Sequence, residues 1–496
     1  MTPAARSLTD VPRPDRRRLA SAALLAALLA AALPHGASGA SNQPGASGAQ
    51  PSFVVIYCDN LGYGDIGCFG STLHRTPHID RMAREGRRLT HFYSASGVCT
   101  PSRASLMTGS YPRRVGLHMT GPDGAVLRPV SPNGLHPEEV TIAEVLAGLG
   151  YATACVGKWR LGDQPLFLPT RRGFERFFGI PYSDDMIPRP GRDWPPLPLM
   201  RQERVVEAPA DRHTLTKRYT EEVVRLLNEW KDRPFFICLP HAMPGSTPHP
   251  FASEAFRGKS KNGPYGDSVE EIDWSTGEIL SALAGLGLDE RTMVMFTSDN
   301  GAPRRNPPQG SNRPFSGWGY STLEGGMRIP FVVRWPGKIP AGTVCEELAT
   351  TMDLLPTLSR LAGGKPPADR RIDGRDIWPL LAGSPGAKSP HEAFYYYYMD
   401  QLQAVRSGPW KLRLALAAKR VNLQGKTAPS EAELYDLAKD PAESVNLARE
   451  HPGIVKRLEA LAEEARAELG DGARPGSGQR KAGRVESPRP RVLESR

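Results

Sequence analysis

The sequence predicts an α/β fold with a mostly parallel central sheet, followed by a smaller α+β domain with a short antiparallel sheet. Along residues 50–380, continuous apolar runs of strand length end in polar residues and alternate with amphipathic helical segments. Such runs are typical of buried parallel strands. Their alternation with helices favours a sheet covered on both faces. From about His391 the pattern changes to short strand-like segments, which predict the antiparallel sheet.

The N-terminus is predicted to be an export signal peptide over residues 1–40. Arginines at positions 13 and 16–18 precede an apolar run at 19–33, and small residues follow up to Ala40. The run is too short and too rich in alanine to predict a stable membrane span. An uncleaved anchor and a twin-arginine signal are the alternatives. We therefore expect an exported protein, periplasmic or secreted, with a polar linker at 41–51.

Composition sets the broad class of the protein. The chain has 496 residues, of which 39% are hydrophobic, enough for one large domain and a smaller one. The formal charge is +10, but much of the basic excess lies in the two ends. Because no basic stripe with aromatic platforms occurs inside the fold, we expect no nucleic-acid partner. Six cysteines show no CxxC spacing, so no zinc or redox pair is predicted and no disulfide is assigned.

The elements follow in chain order. Strands are predicted at 53–58, 151–156, 234–239, 292–297 and 330–335, with helices at 76–87, 140–149, 216–230, 269–286 and 352–361. These belong to a first domain at 52–388, in which 163–210 is predicted to be irregular. The second domain, 389–470, has strands at 394–399, 402–406 and 410–415 and a final helix at 452–469. The basic tail, 471–496, is predicted to be disordered.

Polar clusters follow four of the predicted strands. They are Asp59 with Asn60, Lys158 with Arg160, His241 with His249, and Asp299 with Asn300. Each cluster alone is more often a turn or a cap. The carboxyl ends of parallel strands meet at one edge of a sheet, where ligands bind, so the four clusters predict a single site. Their carboxylate and amide oxygens suit a hard cation such as Ca²⁺.

The segment at 99–109, CTPSRASLMTG, adds a fifth element to this site. Cys99 stands two residues before a proline at the predicted start of a helix, where free N–H groups and the helix dipole favour anions. Arg103 adds a fixed positive charge. A lone cysteine in such a place is more often a buried structural thiol. The whole string, however, resembles the signature of the type I sulfatases, in which this cysteine is oxidised to formylglycine.

The resemblance extends over residues 53–469. It includes DNLGYGDIGCFG at 59–70, SDNG at 298–301 and EGGMRIPFVVRWPG at 324–337. These motifs are similar to those of the arylsulfatase A-like branch. The resemblance implies an alkaline-phosphatase-like α/β/α sandwich, bound Ca²⁺ and hydrolysis of sulfate monoesters on small molecules or carbohydrates. It also implies a maturation partner, either a formylglycine-generating enzyme or an anaerobic sulfatase-maturating enzyme.

The resemblance assigns roles residue by residue. Cys99 becomes the formylglycine, whose hydrate attacks sulfur, while Arg103 and Lys158 stabilise the hydrate and the sulfate. Arg160 is placed to hold the sulfate, and His249 takes the place of a family histidine through a shifted loop. The metal group comprises Asp59, Asn60, Cys99, Asp299 and Asn300.

Four positions depart from the family pattern. Asn60 stands where the family usually has Asp, Arg160 where GKWHLG has His, Gly245 where a His is common, and Gly319 where a Lys is common. Arg304, Arg305 or Arg313 are candidates to replace the missing lysine charge.

These departures keep two other hypotheses open. One is a pseudo-sulfatase that binds sulfated glycans without turnover. The other is a phosphatase or phosphodiesterase of the same superfamily, which Cys99 disfavours because those relatives usually carry Thr or Ser at the nucleophile position and use two metals. We favour an active sulfatase because the modification signal around Cys99 is unbroken.

Overall fold

The computed structural model describes residues 50–121, 124–418 and 429–493. The predicted signal peptide and residues 41–49 of the predicted linker therefore lie outside the described residues. Within the described part, no helix combines the length and the apolar character needed to cross a bilayer.

The helices and strands are numbered here in chain order. The strands are β1 (Ser52–Asp59), β2 (Arg87–Leu89), β3 (Phe92–Tyr93), β4 (Asn133–Gly134), β5 (Ala152–Lys158), β6 (Arg176–Ile180), β7 (Leu199–Arg201), β8 (Arg204–Glu207), β9 (Phe235–Pro244), β10 (Thr292–Ser298), β11 (Phe331–Arg334), β12 (Thr343–Cys345), β13 (Ala349–Thr350), β14 (Phe394–Tyr398), β15 (Gln401–Ser407), β16 (Trp410–Arg413), β17 (Glu433–Asp436) and β18 (Gly483–Arg484). The α-helices are α1 (Pro77–Glu85), α2 (Cys99–Thr108), α3 (Ile142–Gly148), α4 (Leu215–Glu229), α5 (Gly263–Gly285), α6 (Glu324–Met327), α7 (Leu354–Leu361), α8 (Trp378–Leu381) and α9 (Pro452–Leu469).

The large sheet has the strand order β12-β2-β11-β10-β1-β9-β5-β6-β7-β8. Its five central strands, from β10 to β6, are parallel to their neighbours. Antiparallel strands are added on both sides, β11 beside β10 and β7 beside β6. The predicted mostly parallel sheet is confirmed. The parallel arrangement brings the carboxyl ends of β1, β5 and β10 to the same edge.

Helices cover both faces of this sheet. Along β1, Phe53 and Val55 pack into one apolar core and Val54 and Ile56 into the other, so the strand is buried on both sides. Residues of α2, α3 and α7 belong to the first core, and residues of α1, α4 and α5 belong to the second. The continuous apolar runs in the sequence reflect this double burial, and the α/β/α sandwich is confirmed.

The smaller sheet is antiparallel, in the order β14-β15-β16-β17. Helix α9 packs on it through Leu458 and Leu461. The sequence predicted three of these strands and the helix, and it missed β17. The boundary between residues 388 and 389 stays a prediction.

Two parts of the large sheet differ from the prediction. The stretch 163–210 is not wholly irregular, because it contains β6, β7 and β8. Short strands between proline and glycine residues produce little periodicity, which explains why they were missed. Strand β9 also continues to Pro244, five residues beyond its predicted end at 239, so His241 lies inside the strand.

The predicted disorder of the basic tail is wrong for residues 471–493. Strand β18 pairs with β4, and Arg480 makes two hydrogen bonds with the Glu139 carboxylate at 2.6 and 2.9 Å. The Gln164 side chain exchanges two hydrogen bonds with the backbone of Arg489, at 2.8 and 3.0 Å. Composition favoured disorder, but backbone pairing and a partly buried ion pair hold this segment on the first domain.

A largely buried pair between His391, which precedes β14, and Asp353, which precedes α7, predicts a pH dependence of stability. His391 Nε2 lies 2.7 Å from Asp353 Oδ1. Burial lowers the pKa of His391, but the Asp353 charge and hydrogen bond outweigh it and raise the pKa above its usual value. A raised pKa in the folded state stabilises the protein fully below about pH 6.5, and this contribution is lost as the pH rises through the folded-state pKa.

We therefore expect His391→Gln to lower the free energy of unfolding by about 1–2 kcal/mol at pH 5.5, and by less at pH 9. Urea unfolding of both proteins at the two pH values measures this difference. His249→Gln is the control, because the His249 side chain is exposed and should change stability little at either pH. An equal loss for His391→Gln at both pH values would contradict the charged pair.

Candidate active site

Cys99 is the first residue of α2 and is almost completely buried. The preceding residue, Val98, is extended and provides no side-chain cap, so the first N–H groups of the helix are open to other partners. The Cys99 thiol donates to Asp59 Oδ1 at 3.3 Å and lies 3.8 Å from Lys158 Nζ. Burial, reinforced by the charges of Asp299 and Asp59, raises the pKa of the thiol well above its ordinary value. The thiol is therefore neutral and a poor nucleophile.

Two buried cations and two buried carboxylates surround this thiol. Arg103 Nη2 lies 3.0 Å from Asp59 Oδ1 and 2.8 Å from Asp299 Oδ2. Lys158 Nζ lies 2.6 Å from Asp59 Oδ1. Burial raises the pKa of Asp59, but Lys158 and Arg103 outweigh it and hold that pKa below its usual range. Burial and the Asp59 charge raise the pKa of Asp299 to about 7.

Oxygen atoms at the ends of β1 and β10 form a group that fits a hard cation. The ligand atoms of Asp59, Cys99 and Asp299 all lie within 4.8 Å of one another. The Asn60 backbone N–H donates to Asp299 Oδ1 at 2.9 Å, and Asn300 Nδ2 donates to Asn60 Oδ1 at 2.6 Å. Asn300 Oδ1 is buried without a hydrogen-bond partner among the described residues. Two carboxylates beside a buried oxygen that lacks a partner in the described chain offer ligands that a divalent cation prefers, so this group could hold a metal.

Hydroxyl groups lock the start of α2 onto this cluster. Ser102 Oγ donates to the Asp299 carbonyl at 2.6 Å, and Ser94 Oγ donates to Ser102 Oγ at 2.8 Å. The Tyr57 hydroxyl lies 2.6 Å from Ser102 Oγ. The helix start is therefore fixed relative to β1 and β10, although sequence reasoning assigned Tyr57, Ser94 and Ser102 no role.

The end of β5 supplies two cations and brings in a residue that sequence reasoning missed. Arg160 is buried, has φ +70°, and places Nη1 3.0 Å from Met186 Sδ. Its Nε has no partner among the described residues. Lys158 Nζ donates to Ser183 Oγ at 2.9 Å. Ser183 was missed because it follows β6, and β6 was hidden in the stretch predicted to be irregular.

The histidines proposed from the sequence are not in this cluster. The His249 side chain is exposed, and no contact between its ring and the Cys99 cluster occurs within the described parts of the chain. His241 is fully buried in β9 and lies 3.4 Å from Ser275 Oγ. Burial lowers its pKa to about 3, so it is uncharged. The predicted histidine pair at a strand end is wrong, because β9 extends past His241.

Glycines occupy two of the departing positions for steric reasons. Gly245 has φ +67°, and a Cβ there would lie 2.8 Å from the Ala242 carbonyl oxygen. A Cβ on Gly319 would lie 2.4 Å from the Gly301 carbonyl oxygen. At both positions a backbone carbonyl oxygen therefore occupies space that a side chain would need. A histidine or lysine cannot be added back without shifting it.

The three arginines considered as replacements do not reach the thiol. Arg305 is buried against the turn after β9, where it donates to the carbonyls of Pro244 and Gly245. Within that turn, the Gly245 N–H donates to the Asp59 carbonyl at 3.0 Å. Arg304 and Arg313 are exposed. Arg305 therefore supports the turn and does not restore the missing charge.

Comparison with known proteins agrees with this geometry. Residues 51–364 match the family model of the sulfatases, and residues 320–468 match that of the C-terminal part of N-sulphoglucosamine sulphohydrolase. Mouse steryl-sulfatase is 36% identical, with 92% of this chain and 88% of that protein covered. Human arylsulfatase A is 38% identical over 83% of this chain and 87% of that protein. Dog N-acetylgalactosamine-6-sulfatase is 39% identical over 74% and 72%.

Solved structures show the same fold. A protein described with the metabolism of multiple glycosaminoglycans by Bacteroides thetaiotaomicron superimposes with a TM-score of 0.74 at 27% identity, covering 84% of this chain and 100% of that one. A second structure, in complex with a neocarrahexaose, superimposes with a TM-score of 0.70 at 26% identity, covering 84% and 92%. The chain belongs to the sulfatase family, and its activity is the hydrolysis of sulfate esters.

Proposed function

We propose that this chain is an exported sulfatase that removes sulfate from carbohydrates or small molecules, using a formylglycine made from Cys99 and a bound Ca²⁺. The observation that carries the proposal is the environment of Cys99. A neutral, buried thiol at a helix start, surrounded by Arg103, Lys158 and metal-binding oxygens, is poorly suited to act as a thiolate. The same environment suits an oxygen nucleophile and an anionic substrate.

The oxygen cluster would hold the metal through Asp59, Asp299, Asn60 and Asn300. When bound, Ca²⁺ would supply positive charge that draws electrons from the sulfate oxygens. Asn60 offers an amide oxygen without charge, so we expect weaker affinity than a carboxylate at this position would give. Arg103 holds the two carboxylates in place through its contacts with both.

The residues around position 99 would bind and orient the sulfate. Formylglycine, once made, would supply a hydrated aldehyde whose hydroxyl attacks sulfur. Lys158 Nζ already lies 3.8 Å from the side-chain atom at position 99, and Ser183 and Asp59 fix its direction. The Arg160 Nε has no partner in the described part of the chain, and the planar guanidinium group of an arginine favours binding of a sulfate oxygen.

Two further parts of the proposal rest on other observations. A carbohydrate sulfate is favoured by the named N-acetylgalactosamine-6-sulfatase relative and by the neighbour bound to a neocarrahexaose. Export is favoured by the arginine-rich and apolar pattern of residues 1–40. Export would place maturation by a formylglycine-generating or anaerobic sulfatase-maturating enzyme before or during secretion.

Mass spectrometry of the tryptic peptide that contains Cys99, on protein from the native host, tests the proposal. We expect an aldehyde in place of the thiol. The same preparation should hydrolyse 4-nitrophenyl sulfate and at least one sulfated monosaccharide. An unmodified cysteine, together with sulfated-glycan binding that survives Cys99→Ala and no turnover, would instead support a glycan-binding pseudo-sulfatase.

A further inference from the structure

Tyr320 connects the start of α2 with the turn beside Asn60. Its backbone N–H donates to the Gly97 carbonyl at 2.9 Å, two residues before Cys99. Its ring packs against an apolar cluster that includes Val98. Its hydroxyl lies 2.9 Å from Ser246 Oγ, directly after the turn at Gly245. The side chain therefore passes from one side of the Cys99 cluster to the other.

Ser246 orients this phenol. Asn60 Nδ2 donates to Ser246 Oγ at 3.0 Å, so the serine oxygen is already an acceptor there. The Ser246 hydroxyl proton is then free to be donated to the Tyr320 oxygen. In that arrangement, the Tyr320 hydroxyl accepts from Ser246 and keeps its own proton for a third partner.

The Tyr320–Ser246 pair forms the open edge of the site. Both residues are partly exposed, whereas Cys99, Lys158 and Asn60 are buried. Tyr320 also has φ +68°, a left-handed conformation that is unfavourable for a bulky side chain. Residues held in such conformations are concentrated at functional sites. An ester bound at Cys99 would extend its alcohol portion toward this edge.

The departing alcohol needs a proton, and the positions that would supply one are altered. Gly245 and Gly319 have no side chain, an arginine side chain is a poor proton donor, and no contact among the described residues joins the exposed His249 ring to the cluster. Resting on the function proposed above, we propose that the Tyr320 hydroxyl donates its proton to the oxygen of the departing alcohol. Tyr320 is thus the catalytic acid of this sulfatase, and Ser246 is its positioning residue.

The step balances as follows in atoms and electrons. The hydroxyl oxygen at position 99 gives up its proton to water and forms a bond to sulfur while the bond between sulfur and the ester oxygen breaks. The electron pair of that bond stays on the ester oxygen, which takes the proton of the Tyr320 hydroxyl and leaves as the alcohol. The phenolate then regains a proton from water at the open edge. Burial raises the pKa of Tyr320, so the phenol is protonated before each turnover.

The test compares Tyr320→Phe on two classes of substrate. A sugar sulfate has a poor leaving group and needs the proton, so kcat/KM should fall by about 10²- to 10⁴-fold. 4-Nitrophenyl sulfate has a good leaving group that departs without a proton, so its kcat/KM should fall by less than about tenfold. A plot of log kcat/KM against leaving-group pKa should therefore be steeper for the variant.

Two further variants keep the result interpretable. Ser246→Ala should also lose more kcat/KM on the sugar sulfate than on 4-nitrophenyl sulfate, although both losses should be smaller. This variant carries the test if Tyr320→Phe does not fold. Tyr151→Phe is the matched control, since it removes a buried hydroxyl without a hydrogen-bond partner among the described residues. It should leave kcat/KM for both substrates unchanged. Equal losses on both substrates, or no loss on either, overturn the role of Tyr320. A wild-type protein without formylglycine and without turnover would overturn the proposed function instead.

Discussion

Replacing Cys99 with alanine is expected to lower kcat for sulfate esters by on the order of 10⁴- to 10⁶-fold, the loss seen when a covalent nucleophile is removed. Alanine cannot be oxidised to an aldehyde, so no oxygen nucleophile forms at position 99. The fold should survive, because alanine removes only a thiol hydrogen bond to Asp59 and the weak approach of Lys158 to the sulfur. Single-turnover assays with 4-nitrophenyl sulfate, beside thermal unfolding of both proteins, separate activity from stability.

Cys68→Ala is the matched control for this prediction. Cys68 is partly buried in a short turn after β1, and its backbone N–H, which alanine retains, donates to Asp80. Its pKa is raised to about 12, first by burial and then by the Asp80 charge, so it is not a reactive thiolate. Full activity in Cys68→Ala and loss in Cys99→Ala would localise the chemistry. Turnover that persists in Cys99→Ala would exclude formylglycine as the nucleophile.

The central strands and most of the proposed metal group could be predicted because a single physical pattern indicates both. Strands β1, β5 and β10 are buried on two faces, so their sequences are unbroken apolar runs, and the first polar residues after them mark the edge of the sheet. The folded chain brings Asp59, Lys158 and Asp299 together at that edge, as the parallel order of these strands requires.

The rest of the site comes from segments without a periodic pattern. Ser183, Ser246 and Tyr320 lie in loops, and their positions depend on long-range contacts such as the hydrogen bond from the Tyr320 N–H to the Gly97 carbonyl. No local signal in the sequence indicates such a contact. For the same reason the role of His249 stays a prediction, since the path of the loop after β9 decides whether that ring reaches Cys99.

The ordered tail shows how composition alone misleads. Residues 471–493 are rich in glycine, proline and arginine, which favours disorder. Arg480 nevertheless pairs with Glu139 from a distant part of the chain, and β18 pairs with the backbone of β4. Whether an arginine has a carboxylate partner is a property of the folded chain, so the sequence pattern could not indicate it.

Lys411→Met is expected to destabilise the protein by about 3–5 kcal/mol, the cost of leaving a buried charge without its partner. Lys411 Nζ lies 3.0 Å from Glu324 Oε1 and 2.9 Å from Glu443 Oε1, and all three side chains are fully buried. It also donates to the Thr322 carbonyl at 2.9 Å. Burial raises the pKa of Glu324, but Lys411 and neighbouring arginines outweigh it and lower that pKa to about 2.

The sign of the pH dependence follows from this lowered pKa. Ionised Glu324 stabilises the native protein above the ordinary glutamate pKa of about 4.3, and the contribution is lost as the pH falls through the folded-state value. Lys411→Met removes the main partner, so the variant should lose stability at a higher pH than the wild type on acidification. Urea unfolding between pH 3 and pH 8 measures both the decrease in the free energy of unfolding and the shift in the pH at which stability is lost.

A surface variant and a double variant test whether the unpaired buried charge causes the stability loss of Lys411→Met. Lys388→Met breaks an exposed pair with Glu347 at 3.0 Å and should cost about 0–1 kcal/mol. Adding Glu443→Gln to Lys411→Met should restore part of the stability, because it removes the carboxylate that was left unpaired. If Lys411→Met destabilised the protein no more than Lys388→Met does, the contacts of Lys411 with Glu324 and Glu443 would not be holding the small sheet on the first domain. Because Thr322 lies two residues after Tyr320, the same variant should also lose activity on sugar sulfates before it unfolds.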